Sequence, residues 1–202
     1  MAVSGTTARH IFLTGTPGIG KTTLIHKACK SLTEAGLATQ GFYTEEVRVN
    51  GKRTGFDVVP LHGTRGPLAR VSEQCDTFSG RRREYRVGQY SVDLQSFEQT
   101  AIPTINTRKV SQGKQPVFVI DEIGKMELFS QSFVQSVRGI LDKPMTTVLA
   151  TIPVSRGKPI SFVEEVRYRK DAVVYTITTE NRDTILSEIV ESVKCSVETF
   201  ST

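Results

Sequence analysis

The sequence predicts a three-layer α/β fold with a mostly parallel central sheet and an inserted β-hairpin. Short apolar runs typical of buried strands alternate with stretches of helical periodicity along most of the chain. In the first half, an Asn50-Gly51 turn signal separates two segments of strand-like composition. The length of 202 residues suits one compact domain. We therefore expect a single domain over residues 9–195, with a flexible N-terminal tail at 1–8 and a C-terminal tail at 196–202.

The first strand and helix are predicted from His10 to Leu32. The apolar run from His10 to Thr14 ends at glycines, as a buried parallel strand does. Apolar residues then recur at helical spacing up to Leu32, and Gly36 is a natural stop. A second strand is expected at 41–44. This strand–helix–strand order requires a crossover between parallel strands.

An antiparallel hairpin is predicted over residues 45–61, because Val47 and Val49 alternate with polar residues before the Asn50-Gly51 turn. The Gly-, Arg- and polar-rich stretch 64–86 predicts a loop or lid.

A short strand is predicted at 89–92, followed by a helix with Asp93 as its N-cap. We expect Pro103 to kink or end that helix. Three further strands are predicted at 117–120, 147–151 and 172–177, with helices at 129–141 and from 181 to about 195.

The composition narrows the possible partners. The formal net charge of +5 attracts anions such as phosphates, but the basic residues are scattered and accompany no nucleic-acid-binding module. We expect no nucleic acid and no membrane as partner, since no apolar run is long enough to span a bilayer. The three cysteines form no CxxC pair or Cys/His cluster. An intracellular protein, cytosolic or nuclear, is expected.

A complete G-x-x-x-x-G-K-T motif follows the first strand. Its glycines allow backbone N–H groups to approach phosphate oxygens, and the following helix directs its positive N-terminal end at the same anion. The lysine adds charge on the β- and γ-phosphates, and the threonine hydroxyl is a Mg²⁺ ligand. The predicted nucleotide-binding residues here are Gly15, Thr16, Pro17, Gly18, Ile19, Gly20, Lys21 and Thr22, with Lys21 catalytic and Thr22 a metal ligand.

A second motif has the form of a Walker B strand, four apolar residues followed by two acids. In open α/β sheets, ligands bind at this carboxyl end of the strands. Asp121 is predicted to hold Mg²⁺, and Glu122 to activate the attacking water as catalytic base, provided that the strand has ended before it. The predicted nucleotide-binding segment comprises Val117, Phe118, Val119, Ile120, Asp121, Glu122, Ile123 and Gly124.

Phosphoryl transfer also needs positive charge on the developing oxygens. The sequence offers several arginines for this role without choosing between them and solvated surface positions: Arg65, Arg81, Arg82, Arg83, Arg86, Arg167 and Arg169.

The stretches GFYTEEVR (41–48) and DEIGKMEL (121–128), together with the phosphate-binding loop, resemble the thermophilic nucleoside-triphosphatase family of P-loop NTPases from about Arg9 to Arg182. The resemblance implies a P-loop NTPase fold, similar to that of nucleotide kinases. It also implies a monomer that slowly hydrolyses ATP, GTP, CTP and UTP to the diphosphate and phosphate, with Mg²⁺ as cofactor and broad base specificity. The resemblance assigns no base-contacting residues; Asn181 and Arg182 are candidates from the sequence.

Two other functions stay open from the residues alone. A small-molecule or nucleotide kinase would use the same phosphate-binding loop but would carry an acceptor pocket that excludes water. A nucleotide-dependent binding switch would bind without turnover. The acid after Asp121 favours water as the nucleophile.

Overall fold

The computed structural model describes residues 8–72, 85–106, 116–155 and 157–200. These residues form a sheet of nine strands and five α-helices. The strands are β1 (His10–Thr14), β2 (Thr39–Val49), β3 (Lys52–Pro60), β4 (Gly66–Val71), β5 (Arg86–Val87), β6 (Tyr90–Val92), β7 (Val117–Ile120), β8 (Thr147–Ile152) and β9 (Ala172–Thr176). The α-helices are α1 (Lys21–Glu34), α2 (Leu94–Ala101), α3 (Gln131–Asp142), α4 (Ser161–Arg167) and α5 (Leu186–Phe200). Short 3₁₀ turns cover Ile102–Ile105 and Glu127–Phe129.

The sheet order is β5-β6-β4-β3-β2-β7-β8-β1-β9. The sheet has a parallel half, which comprises β2, β7, β8, β1 and β9. In the other half, which runs from β2 through β3, β4 and β6 to β5, neighbouring strands are antiparallel. The predicted α/β fold with a mostly parallel core and an inserted hairpin is confirmed. Strand β8 separates β1 from β7, and the register pairs Leu13 with Thr151 and Ile120 with Ala150. The carboxyl ends of β1 and β7 therefore open at the same edge.

Helices cover both faces of the sheet, and side chains of β1 alternate between them. Ile11 and Leu13 pack in the core beneath α1 and α5, whereas Phe12 packs in the core beneath α2, α3 and α4. All three side chains are fully buried. Burying an aliphatic or phenyl side chain of this size contributes about 1.5–3 kcal/mol each, so these two cores hold the first strand and the loop that follows it in place.

The antiparallel half of the sheet is larger than predicted. The Asn50-Gly51 turn is present, but β2 begins at Thr39 and runs well past the predicted end. The prediction of a loop or lid from residue 64 was wrong at Gly66–Val71, where β4 pairs with β3. Glycine and proline at its start concealed the strand; a Cβ on Gly66 would lie 2.3 Å from Thr100 Oγ1 of α2, so the glycine permits close packing.

Three boundaries in the rest of the chain are informative. The predicted N-cap is confirmed, since Asp93 Oδ1 accepts a hydrogen bond from the Ser96 N–H at 2.9 Å, and α2 ends before Pro103. Helix α4 was not foreseen. The last helix begins at Leu186 rather than 181 and extends to Phe200 rather than about Cys195. Ser196 is buried and bonds Thr147 Oγ1 at 2.8 Å, so residues 196–200 of the predicted tail belong to this helix.

Candidate active site

The phosphate-binding loop joins β1 to α1 and has the backbone shape that its glycines allow. Gly18 and Gly20 have φ values of +77° and +114°, in the region that side chains disfavour. A Cβ on Gly15 would lie 2.7 Å from the carbonyl oxygen of Ile177. Gly20 caps α1 without a side-chain hydrogen bond, so the first N–H groups of the helix are available to an anion.

Lys21 extends across this loop. Its ammonium group donates hydrogen bonds to the carbonyl oxygens of Gly15 at 3.0 Å and Thr16 at 3.4 Å. An ammonium has a third donor, and the loop carbonyls hold it as a point charge where the loop would receive phosphates.

Asp121 is the first residue after β7 and is 2% exposed. Its Oδ1 accepts a hydrogen bond from Thr151 Oγ1 at 2.6 Å, whereas its buried Oδ2 has no hydrogen-bond partner among the described residues. Burial raises the pKa of the Asp121 carboxyl, and the hydroxyls of Thr151 and Thr22 and the charge of Lys21 oppose that rise. A buried carboxylate oxygen without a partner is costly unless a ligand satisfies it.

The residues at this position fit a Mg²⁺ ion. The carboxylate of Asp121 and the hydroxyl of Thr22 are hard oxygen ligands, and the unpartnered Oδ2 needs a cation or donor. No cluster of three or more His, Cys, Asp or Glu side chains in the described ranges has the arrangement of an all-protein metal site. Mg²⁺ commonly takes one or two protein ligands together with water and substrate phosphates, which agrees with this sparse ligand set.

Two glutamates lie beyond Asp121. Strand β7 ends at Ile120, so Glu122 is free of strand alternation and lines the same cleft as Lys21; the Asp121–Glu122 peptide bond is cis. Burial and the neighbouring Asp121 raise the pKa of Glu122, and Lys21 opposes this. The carboxylate of Glu127 accepts a hydrogen bond from the Gly124 N–H at 3.2 Å.

Burial, with Glu122 and Asp121 nearby, raises the pKa of Glu127 to about 8. Burial thus raises the pKa of three carboxyl groups near the loop, those of Asp121, Glu122 and Glu127.

The loop and the acids share a cleft of about 460 Å³. The hairpin of β2 and β3 also lines this cleft, and so does His26 of α1; the hairpin contributes Thr44, Glu45, Glu46, Arg53 and Phe56. A larger cavity of about 820 Å³ between β4, β6 and α2 contains none of the predicted site residues. The described cleft that brings phosphate-binding and acidic groups together is therefore the one at the end of β1 and β7.

The structure separates the predicted segment 117–124 into two parts. Only Asp121 and Glu122 of that segment line the cleft. The side chains of the four strand residues 117–120 are at most 1% exposed, and Ile123 is fully buried, so these residues belong to the cores. They act by holding Asp121 at the edge of the sheet.

The arginines proposed from the sequence do not line this cleft where the structure describes them. Arg65 binds Asp57 and Glu45, each at 3.0 Å. Arg167, at the end of α4, donates to the carbonyl oxygen of Pro153. Arg169 binds Asp171 and Asp142, and Arg86 contacts Ser72. Residues 81–83 lie outside the described residues.

The suggested base contact at Asn181 meets a competing role. Its side-chain oxygen accepts a hydrogen bond from the Thr178 N–H at 2.8 Å, and its amide donates to the Thr176 carbonyl at 2.9 Å. The Asn181 amide therefore shapes the turn between β9 and α5. The Nε atom of Arg182 lies 3.7 Å from Oδ2 of Asp183.

Sequence reasoning missed Arg53, Thr151 and Glu127. The register of β7 and β8 brings Thr151 beside Asp121, and strand register is not visible in a single sequence. The hairpin brings Arg53 to the same cleft as the phosphate-binding loop across a long separation in sequence. Glu127 follows Gly124, Lys125 and Met126, and this local sequence does not indicate that its side chain is buried.

The fold and the cleft define a class. A glycine-rich loop joins a central parallel strand to a helix, and it shares a cleft with an acid at the end of a second strand. One further strand lies between these two strands. P-loop NTPases have this arrangement. Within that class, residues 10–190 match the family described as NTPase, and the chain belongs to that family. The resemblance seen in the sequence is confirmed.

Relatives span nearly the whole chain. The cancer-related nucleoside-triphosphatase of Homo sapiens is 57% identical over 94% of this chain and 98% of its own length. The nucleoside-triphosphatase THEP1 of Aquifex aeolicus is 40% identical over 89% of this chain and 96% of its own.

Solved structures agree with the fold. A solution structure of the human cancer-related nucleoside triphosphatase, 57% identical, superposes with a TM-score of 0.80 over 93% of this chain and 98% of the other. The crystal structure of THEP1 from Aquifex aeolicus, 38% identical, superposes with a TM-score of 0.76 over 92% of this chain and 99% of the other. In the part of the chain that the structure describes, no helix is long and apolar enough to cross a membrane.

Proposed function

We propose that this protein hydrolyses nucleoside triphosphates to the diphosphate and phosphate with Mg²⁺. The observation that carries the proposal is that Lys21, Thr22, Asp121 and Glu122 line one cleft at the carboxyl edge of the sheet. Relatives named nucleoside-triphosphatase over nearly the full chain support the same reaction.

The loop would bind the triphosphate through its N–H groups and the N-terminal end of α1. Lys21 would exchange its contacts with the Gly15 and Thr16 carbonyls for β- and γ-phosphate oxygens. Thr22 and Asp121 would hold Mg²⁺, which supplies positive charge to the phosphates. The hydrogen bond from Thr151 to Oδ1 fixes the orientation of the Asp121 carboxylate, so Oδ2 would be held in position for the metal ion.

Glu122 would accept a proton from the attacking water as the water oxygen bonds to the γ-phosphorus and the bond to the diphosphate breaks. A carboxylate whose pKa is raised is a better base at neutral pH than an ordinary one. Water is the acceptor of the γ-phosphoryl group in this scheme, so the products are the nucleoside diphosphate and inorganic phosphate.

We propose ATP, GTP, CTP and UTP as substrates with little base discrimination, and a monomer as the active form. The Asn181 side chain is occupied within its own turn, which leaves it unsuited to distinguish one base from another. Discrimination requires hydrogen-bonding groups directed at the base.

The test is phosphate release from purified protein with Mg²⁺ and each triphosphate in turn, with no acceptor added and Lys21→Ala as the blank. The proposal predicts phosphate from all four triphosphates and none above background from the variant. A protein that binds nucleotide but releases no phosphate would overturn hydrolysis and favour a kinase that needs its acceptor, or a switch.

A further inference from the structure

We infer that Arg53 of the β2–β3 hairpin contacts the γ-phosphate during hydrolysis and stabilises its developing charge. This inference rests on the proposed function. The phosphate-binding loop, Asp121 and Glu122 come from the parallel half of the sheet, whereas Arg53 comes from the antiparallel hairpin, which lines the same cleft.

Charge in the cleft singles out this residue. Among the described residues, Lys21 and Arg53 are the lysine and arginine side chains that line the cleft, against four acids, Glu45, Glu46, Asp121 and Glu122. A triphosphate brings several negative charges, and phosphoryl transfer requires cations at the oxygens of the transferred group. Lys21 comes from the phosphate-binding loop, and Arg53 is the basic side chain that the hairpin supplies to the cleft.

The guanidinium of Arg53 is held in position by contacts that use only some of its N–H donors. Nε donates to Tyr90 Oη at 2.9 Å and Nη1 donates to Glu46 Oε1 at 2.8 Å. Its central carbon lies 5.2 Å from the ring centroid of Phe56 and 5.7 Å from that of Tyr90.

A guanidinium has five N–H donors, and Nη2 has no hydrogen-bond partner within the described ranges. The side chain is 43% exposed, so it can reach a ligand in the cleft. A planar donor fork fixed by aromatic rings suits a phosphate and loses little conformational freedom on binding it.

Glu46 has a second arginine partner if a phosphate draws the Arg53 guanidinium away from it. Its Oε2 accepts a hydrogen bond from Arg48 Nε at 2.9 Å, while its Oε1 binds Arg53. Arg48 and Arg53 pair across the hairpin. If Arg53 turns toward a phosphate, Glu46 keeps the Arg48 cation and is not left as an unpaired charge. The hairpin thus contains a pair of arginines of which one faces the cleft and the other compensates the shared carboxylate.

The matched variants are Arg53→Ala and Arg48→Ala. Each removes one arginine from Glu46 on the same hairpin, but Arg48 does not line the cleft. For MgATP we expect Arg53→Ala to lower kcat about a hundredfold or more, as loss of a transition-state donor does. Arg48→Ala should lose at most about fivefold, the range of an exposed ion pair, because Glu46 then lacks a cation only while Arg53 contacts the phosphate.

Three further readouts separate a phosphate contact from a structural role. Added guanidinium ion should restore part of the kcat of Arg53→Ala. Arg53→Lys, which keeps the charge but not the fork, should still lose at least about tenfold in kcat. Binding of MgADP with aluminium fluoride, a mimic of the transferred phosphoryl group, should weaken in Arg53→Ala while binding of MgADP alone does not.

The outcomes are distinguishable from failure of the proposed function. If the parent protein releases no phosphate, hydrolysis itself fails. If the parent is active and Arg53→Ala matches it, or Arg48→Ala loses as much as Arg53→Ala, the inference about Arg53 is overturned and hydrolysis stands. Should Arg53→Ala not fold, as judged by thermal unfolding, Arg53→Lys and its kcat decide: a parental kcat in the folded lysine variant overturns the fork contact.

Discussion

Thr151→Val tests whether Asp121 is held in place for a metal ion. The substitution preserves side-chain volume but removes the hydroxyl that donates to Asp121 Oδ1 at 2.6 Å. Thr151 is fully buried and Asp121 is 2% exposed, so water does not replace the lost donor. Leaving a buried acceptor without its donor costs about 1–3 kcal/mol.

Two consequences follow for the variant. Its melting temperature in EDTA should fall, by about 2–4 °C for each kcal/mol lost in a domain of this size. Groups that orient a metal ligand typically contribute about 10–100-fold to metal affinity, so the gain in ADP affinity on adding Mg²⁺ should shrink by that factor. Affinity for ADP in EDTA, which depends on the loop, should not change.

The assay is isothermal titration of ADP into each protein, with Mg²⁺ and with EDTA. Thr147→Val is the matched control, because it removes a hydroxyl of the same strand that bonds Ser196 Oγ at 2.8 Å. It should lose stability without losing the Mg²⁺ effect. If Thr151→Val keeps the full Mg²⁺-dependent gain while losing stability like the control, the reasoning that Thr151 orients a metal-binding carboxylate is refuted.

Three other predictions can be tested in parallel. Lys21→Ala should unfold like the parent but bind ADP and ATP at least about tenfold more weakly by titration, since it removes a charge-assisted phosphate contact. Because burial raises the pKa of Glu127 to about 8, the native apoprotein retains a proton that the unfolded chain releases above about 4.5. Its free energy of unfolding should therefore fall between pH 5 and 8, and less steeply in Glu127→Gln; equal slopes in urea unfolding would contradict this. Burial lowers the pKa of His10 from 6.5 to about 4, so the unfolded chain takes up a proton first as pH falls. Urea unfolding should show about 3 kcal/mol of stability lost from pH 6.5 to 4 through His10, and a His10→Gln variant with an unchanged acid slope would exclude that source.

The parallel half of the fold could be predicted because its signals are local. Four-residue apolar runs such as 117–120 and the glycine spacing of 15–22 specify a buried strand or a phosphate loop without reference to the rest of the chain. Strand β4 could not be predicted in this way, because its Gly66 and Pro67 are turn residues by local criteria and only close packing against α2 explains the glycine.

The site divides along the same line. Residues that belong to a sequence motif, such as Lys21 and Asp121, could be predicted, and the structure places these two in one cleft. Thr151 and Arg53 depend on strand register and on how the hairpin meets the loop, and both are properties of long-range pairing. Arg169, one of the candidate arginines of the sequence, instead forms ion pairs with Asp142 and Asp171.

The most direct test of the account is Glu122→Gln, measured for both binding and turnover. We predict that MgATP binds this variant with the affinity of the parent, because the loop, Lys21, Thr22 and Asp121 are intact. Phosphate release should fall by about a hundredfold or more, the contribution of a general base. A variant that releases phosphate at the parental rate would contradict the assignment of Glu122 and of the acidic edge of the cleft as the place where water is activated.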